Sequence, residues 1–141
     1  MRPLILRILP LVAYVALLAG GAAAQVIKVE PSSFDFGDMQ QQEDRVTHVT
    51  VTNMGAGLLV IEDVRAECGC TVPAIENKSL APGESTQMEI QFNSKKVHDQ
   101  VYKTVQIVSN DPNNPVVDIM LTANVFSPLL IDPPTERIGF S

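Results

Sequence analysis

Val117-Asp118-Ile119-Met120-Leu121-Thr122-Ala123-Asn124-Val125 decides the fold class. Val117, Ile119, Leu121, Ala123 and Val125 share one phase of a period-two pattern, and Asp118, Thr122 and Asn124 share the other. Successive side chains of a strand point to opposite faces, so the stretch reads as a long strand with its apolar face in a core. The same alternation recurs upstream. Val105 and Ile107 lie on one face of a Val101–Ser109 strand, which Ser109-Asn110-Asp111-Pro112 stops. Met88, Ile90 and Phe92 alternate with Glu89 and Gln91 after the turn residues Ala81-Pro82-Gly83-Glu84. Val49 and Val51 alternate with Thr50 and Thr52, and Asn53-Met54-Gly55 ends that run with turn chemistry. With Leu58–Val64, Val26–Val29 and Phe34–Phe36 added, the count is about seven strands in about a hundred residues, the spacing of an antiparallel Ig-like β-sandwich. The phases predict Val51, Ile61, Ile90, Phe92, Ile107, Ile119 and Leu121 as core.

The chain has 141 residues, enough for one domain and too few for a multidomain enzyme. Met1-Arg2, the apolar run Ile8–Ala19 and the small residues Gly20–Ala24 read as an export signal, with Ala22 and Ala24 spaced for a signal peptidase. The expected organisation is a leader at 1–24, a sandwich domain at 25–126 and a tail at 127–141. The tail echoes the start of the domain: Val29-Glu30-Pro31 and Gly37 return as Ile131-Asp132-Pro133 and Gly139, 102 positions later. It therefore reads as the opening of a second repeat, with Ser127–Pro134 expected to run extended off the last strand and Thr135–Ser141 to be loosely held; head-to-tail self-association by strand addition is the alternative. The formal net charge is −6, and removing Arg2 and Arg7 with the leader leaves eight basic against sixteen acidic residues, a balance of −8. Such a chain is not drawn to phosphate backbones or anionic lipid, so neither nucleic acid nor the membrane is an expected partner after processing.

The residues that could carry chemistry are few. Cys68-Gly69-Cys70 holds the chain's two cysteines. On an extended strand their Cα atoms would lie ~6.6 Å apart, near the ~6.8 Å limit for a bridge, and Gly69 makes the necessary contraction cheap. Three readings stay open: a local disulfide or packed thiol pair that pins a strand end, a disulfide-exchanging pair, or a soft site in which Cys68 and Cys70 hold Cu(I). His48 and His98 are remote in sequence and lack ligand spacing, so zinc is not expected. His48 reads as solvated or cross-strand paired, and His98, beside Lys95 and Lys96, as a hairpin tip. Glu43-Asp44 and Glu62-Asp63 are neighbours that diverge on a strand, and no nucleophile elbow, zincin or phosphate-loop motif occurs. Neither catalysis nor a resident cofactor is expected, Cu(I) being the alternative.

The order of motifs carries a resemblance. Phe34-Asp35-Phe36-Gly37, Asn53-Met54-Gly55, Cys68-Gly69-Cys70-Thr71, Pro82-Gly83-Glu84 and Ser109-Asn110-Asp111-Pro112 resemble the bacterial exported family called domain of unknown function 1573, from about Val26 to Val125. Its members resemble Ig-like modules of the group that includes cilia- and centrosome-associated domains, are often exported and often in tandem, and lack an established activity. One departure is visible: the family often has Phe where Val49 and Val51 stand. The resemblance implies an exported binding or scaffolding module of the envelope, periplasmic or secreted, with an envelope protein as partner. The alternative is a small thiol protein acting through Cys68 and Cys70.

The leader has a direct check. Mass analysis of the N-terminus should find Gln25 first, on protein that fractionates with soluble envelope contents. Membrane-bound material retaining residues 1–24 would overturn the assignment.

Overall fold

The computed structural model describes residues 23–128. Nine strands follow one another: β1 (Ile27–Glu30), β2 (Ser33–Gln40), β3 (Asp44–Asn53), β4 (Leu59–Ala66), β5 (Thr71–Ile75), β6 (Ser79–Leu80), β7 (Ser85–Asn93), β8 (Asp99–Ser109) and β9 (Val116–Phe126). They form two sheets in a sandwich-like, all-β arrangement, one ordered β1-β3-β7-β5 and the other β2-β9-β8-β4-β6. The expected count of about seven is corrected to nine: β5 and β6 are short, β5 contains Pro73, and neither shows a full alternation. The expectation of a purely antiparallel structure is corrected as well, because β2 runs parallel to β9. The reason is a sheet switch. The chain leaves β1 through a cis Glu30–Pro31 peptide, crosses to the other sheet, and enters alongside β9 in the same direction.

The alternating phases place the core. Val51, Ile61, Ile90, Phe92, Ile107, Ile119 and Leu121 are all 1 % exposed or less. Phe92 stacks on Phe36, centroids 5.3 Å apart, and Phe36 meets Phe34 edge-on at 4.9 Å. Val49 and Val51 are fully buried, and the flexible side chains of Met39 and Met88 are buried in the same cluster.

Turn motifs gather at one end and tie the sheets together. Asn53, fully buried, donates from Nδ2 to the carbonyls of Gly57 (2.7 Å) and Leu80 (2.9 Å), and its Oδ1 accepts from the Gly55 N–H. Gly83 has φ +80° in the Ala81–Glu84 turn, a backbone region that glycine occupies without penalty. A Cβ at Gly55 would collide with the carbonyl oxygen of Ala24. That carbonyl accepts from the N–H groups of Ala56 (3.0 Å) and Gly57 (3.3 Å), so cleavage before Gln25 would free both donors. Asn110 clasps β4, accepting from Val60 N–H at 2.8 Å and donating to the Leu58 carbonyl at 3.0 Å.

Asp111 is the charged one of these ties. It is 1 % exposed. Its carboxylate accepts from the N–H of Ile27 at 2.9 Å, on the first strand of the opposite sheet, and from Asn113 (2.8 Å) and Asn114 (3.1 Å) in its own turn. Burial pushes its pKa up, but the three backbone donors outweigh that and leave it below the ordinary aspartate value. Among the described residues no buried side-chain nitrogen or oxygen lacks a hydrogen-bond partner. The expected leader rests largely on residues 1–22 and the expected tail on 129–141, which lie outside the described residues.

Asp111→Asn puts an NH2 group where a backbone donor already points. The expected cost is about 2 kcal/mol in denaturant unfolding. Because the native carboxyl binds its proton less tightly than the unfolded one, the stabilisation is complete above the ordinary aspartate range. It is lost as pH falls through the depressed native value. The variant should lack that part of the acid dependence; an unchanged acid limb and midpoint would refute the role.

Candidate functional site

At the opposite end of the sandwich two connections cross between the sheets side by side. β4 leaves one sheet at Ala66 and β5 enters the other at Thr71, through Glu67-Cys68-Gly69-Cys70. β7 leaves at Asn93 and β8 enters at Asp99, through Ser94–His98. The latter is the segment read from the sequence as a hairpin tip. It is a sheet-to-sheet crossover instead, because β7 and β8 belong to different sheets. The hairpin pattern and the crossover pattern look alike until strand partners are known.

Local hydrogen bonds hold both crossovers. Asn93 N–H donates to the Cys70 carbonyl (2.8 Å) and Thr71 N–H to the Cys68 carbonyl (3.3 Å). Glu67 N–H donates to the Thr104 carbonyl at 3.1 Å, while the Glu67 carboxylate accepts from Thr104 N–H at 3.2 Å. Ser94, fully buried, donates to the Gln40 carbonyl (2.7 Å) and receives from Glu43 N–H (2.8 Å), clamping the crossover to the β2–β3 turn. Arg45 serves the same turn: it donates to Glu43 at 2.8 Å and to the Phe36 carbonyl at 2.6 Å. The Arg45 side chain, and then the Gln40 N–H, hold the Glu43 carboxyl below its ordinary range.

Cys68 and Cys70 are joined in a disulfide with Cα atoms 5.3 Å apart. The residues sit in a turn, not on a strand, and the turn supplies the contraction that an extended backbone lacks. Both cysteines are half-buried, and Cys70 packs against the core. With each sulfur bonded to the other, neither is a thiolate, and the Cu(I) reading has no donor pair here. Among the described residues no group of three or more His, Cys, Asp or Glu side chains is arranged to hold a metal ion. His48 pairs across strands with Glu89 at 3.5 Å on the exposed face, and His98 lies 4.0 Å from Asp99. Asp44 accepts from Asn93 and its neighbour Glu43 from Arg45, while Asp63 accepts from Arg65.

The disulfide forms one wall of a cavity of about 440 Å³ lined by Cys68, Gly69, Cys70, Asn93, Lys95, Lys96, Val97 and Lys103. Sequence reasoning noted Lys95 and Lys96 only as a solvated tip and missed Lys103. A signal existed: Lys103 shares the strand phase of Val101, Val105 and Ile107, so a charge stands where the pattern asks for an apolar residue. It is half-buried opposite Leu121. What could not be read was that the β7–β8 crossover brings the lysine pair to the cysteines.

Residues 27–125 match the family described as protein of unknown function, DUF1573, and the chain belongs to it. No curated protein matches the chain. Among solved structures it is similar to a protein of unknown function from Porphyromonas gingivalis W83, with 21% identity, a TM-score of 0.67, and 73% of this chain and 48% of that one covered. The chain thus spans about half the length of that protein. It is similar in fold to a PapD-like domain of human CEP192 (9% identity, TM-score 0.56, 72% and 85% covered). The periplasmic chaperone SfaE is a further fold relative (10% identity, TM-score 0.53, 74% and 60% covered).

A ring closed over one intervening residue removes little chain entropy. Replacing Cys68 and Cys70 together by Ser should therefore leave a cooperatively folding protein, less stable by about 1–2 kcal/mol on the chain-entropy account. Loss of the unfolding transition would show instead that the bridge is a folding requirement.

Proposed function

We propose that this member of the DUF1573 family is an exported, non-enzymatic module with an Ig-like fold that binds or scaffolds another protein in the bacterial cell envelope. The observation that carries the reading is the frame itself: a two-sheet scaffold of the kind found in a periplasmic chaperone and a PapD-like domain, whose only sulfur chemistry is closed in a disulfide. Such a frame offers surfaces and edges for protein contact, and the described residues bring no acid–base or nucleophilic set together. The disulfide supports an oxidising compartment, in keeping with the leader read at 1–24. The binding unit is residues 25–126, with 127–141 as the opening of a further repeat that could extend the scaffold head to tail. Against a thiol or Cu(I) role stands the pairing of both sulfurs with each other.

Crosslinking in intact cells tests the reading. A photoreactive residue placed at exposed positions around the domain should give discrete adducts with an envelope protein, from one face and not from others. Adducts from every face equally, or none from any, would remove it.

A further inference from the structure

The basic side chains of the domain divide into two sets. Lys28 is paired with Glu30 at 2.8 Å, Arg45 with Glu43 at 2.8 Å and Arg65 with Asp63 at 2.6 Å. Among the described residues Lys78, Lys95, Lys96 and Lys103 have no acidic partner within 4.0 Å, and three of those four line the cavity beside the disulfide. No Asp or Glu lines it; the nearest acid in sequence, Glu67, is bonded to Thr104 N–H. An acidic chain has thus left three cations unneutralised at one spot although acidic residues outnumber basic ones sixteen to ten. Lys103 sharpens the point. It is half-buried on the strand phase of Val101, Val105 and Ile107, a position where a long amphipathic side chain covers apolar surface with its stem, and it lines the cavity.

We propose that this cavity is the docking site for a short carboxylate-bearing segment of a partner protein, whose Asp or Glu side chains are held by Lys95, Lys96 and Lys103. Two features select a peptide segment over a polyanionic surface. The cavity's lining combines ammonium groups with Val97 and the disulfide, which suits alternating acidic and apolar side chains. A membrane or a nucleic acid would also present its charge to the whole of a body whose net charge is −6 for the full chain and −8 without residues 1–24, and long-range repulsion opposes that. Recognition runs through side chains, not through strand addition at the neighbouring edge. The Cys70 carbonyl and Glu76 N–H are bonded to β7, so even-numbered residues of β5 face β7 and Thr71, Pro73 and Ile75 turn their backbone outward. Thr71 N–H is already bonded to Cys68 and Pro73 has no donor, which leaves that edge one free N–H.

This inference rests on the binding-module reading and can fail without it. The test uses the mature protein and a fluorescent peptide that alternates Glu with Leu, beside the same peptide with Gln for Glu. Anisotropy at about 0.05 M salt should show the Glu peptide binding at least about tenfold more tightly. Raising salt to about 0.5 M should abolish most of the difference. Lys95→Gln with Lys96→Gln should weaken binding about fivefold, adding Lys103→Gln should bring the loss to tenfold or more, and Lys78→Gln should change nothing. Equal affinity for the two peptides, or full affinity in the triple variant, overturns the proposal. So does binding of anionic vesicles or of inorganic phosphate in preference to the Glu peptide. Crosslinks to an envelope protein from the opposite end alone would reject the lysine cavity while leaving the module reading intact.

Discussion

The carboxylate of Asp111 is the constraint on which the arrangement of the two sheets depends. Apolar burial supplies the larger free energy, but it is non-directional and would tolerate sliding of one sheet over the other. A buried, ionised acceptor does not tolerate sliding, because losing a donor leaves a charge unsatisfied in the interior. Asp111 accepts from Ile27 on one sheet and from its own turn on the other, so the first strand is located relative to the last hairpin by hydrogen bonds to one side chain. Asn53 repeats the device from β3 to Leu80 on β6 of the other sheet, and Asn110 fastens the β8–β9 turn to the start of β4 within its own sheet. The motifs Asn53-Met54-Gly55, Pro82-Gly83-Glu84 and Ser109-Asn110-Asp111-Pro112, scattered in sequence, are therefore one structural feature. They knot a single end of the sandwich.

The other end is built differently. There the crossovers are secured by Ser94, Glu43 and backbone contacts, and the small disulfide ring stiffens a turn without joining distant parts of the chain. Stability concentrated at one end leaves the other free to carry a surface that is not optimal for folding. Three unpaired lysines, one of them on a core-facing phase, are such a surface. Their mutual repulsion is tolerable because two are exposed to water and the third has an exit for its charge.

How much of this was legible follows from what each signal measures. Period-two alternation measures which face of a strand is buried, and it located the core correctly from Val51 to Leu121. It is silent on which strand lies beside which. The parallel β2–β9 pair and the crossover at residues 94–98 were misread for that reason, since a switch of sheet leaves the alternation intact. β5 escaped notice because Pro73, placed where no ladder donor is needed, looks like a break. Cys68-Gly69-Cys70 was legible as the chemically distinctive spot, though its geometry was reckoned for a strand and the chain makes a turn. The lysines beside it were visible as residues and invisible as a cluster. Lys103 lies more than thirty positions from Cys70, and the pairing of β4 with β8 closes that distance, while the pairing of β7 with β5 brings in Lys95 and Lys96.

A disulfide in such a place has a physical role that neither reactivity nor global stability describes. A turn that must hold one wall of a cavity has few backbone contacts to spend, because its own N–H groups either close the turn or face solvent. Cross-linking Cys68 to Cys70 narrows the turn's conformations at small cost in unfolded-state entropy, so its effect is local order more than folding free energy. Preorganisation of that kind matters most where the binding groups themselves are flexible. Lysine side chains lose rotamer freedom when they grip a carboxylate, and a rigid wall opposite them limits what else must be ordered on association. The bridge and the lysines are complementary in this sense: one fixes the backbone that cannot be fixed by packing, and the others supply charge that the fold itself does not consume.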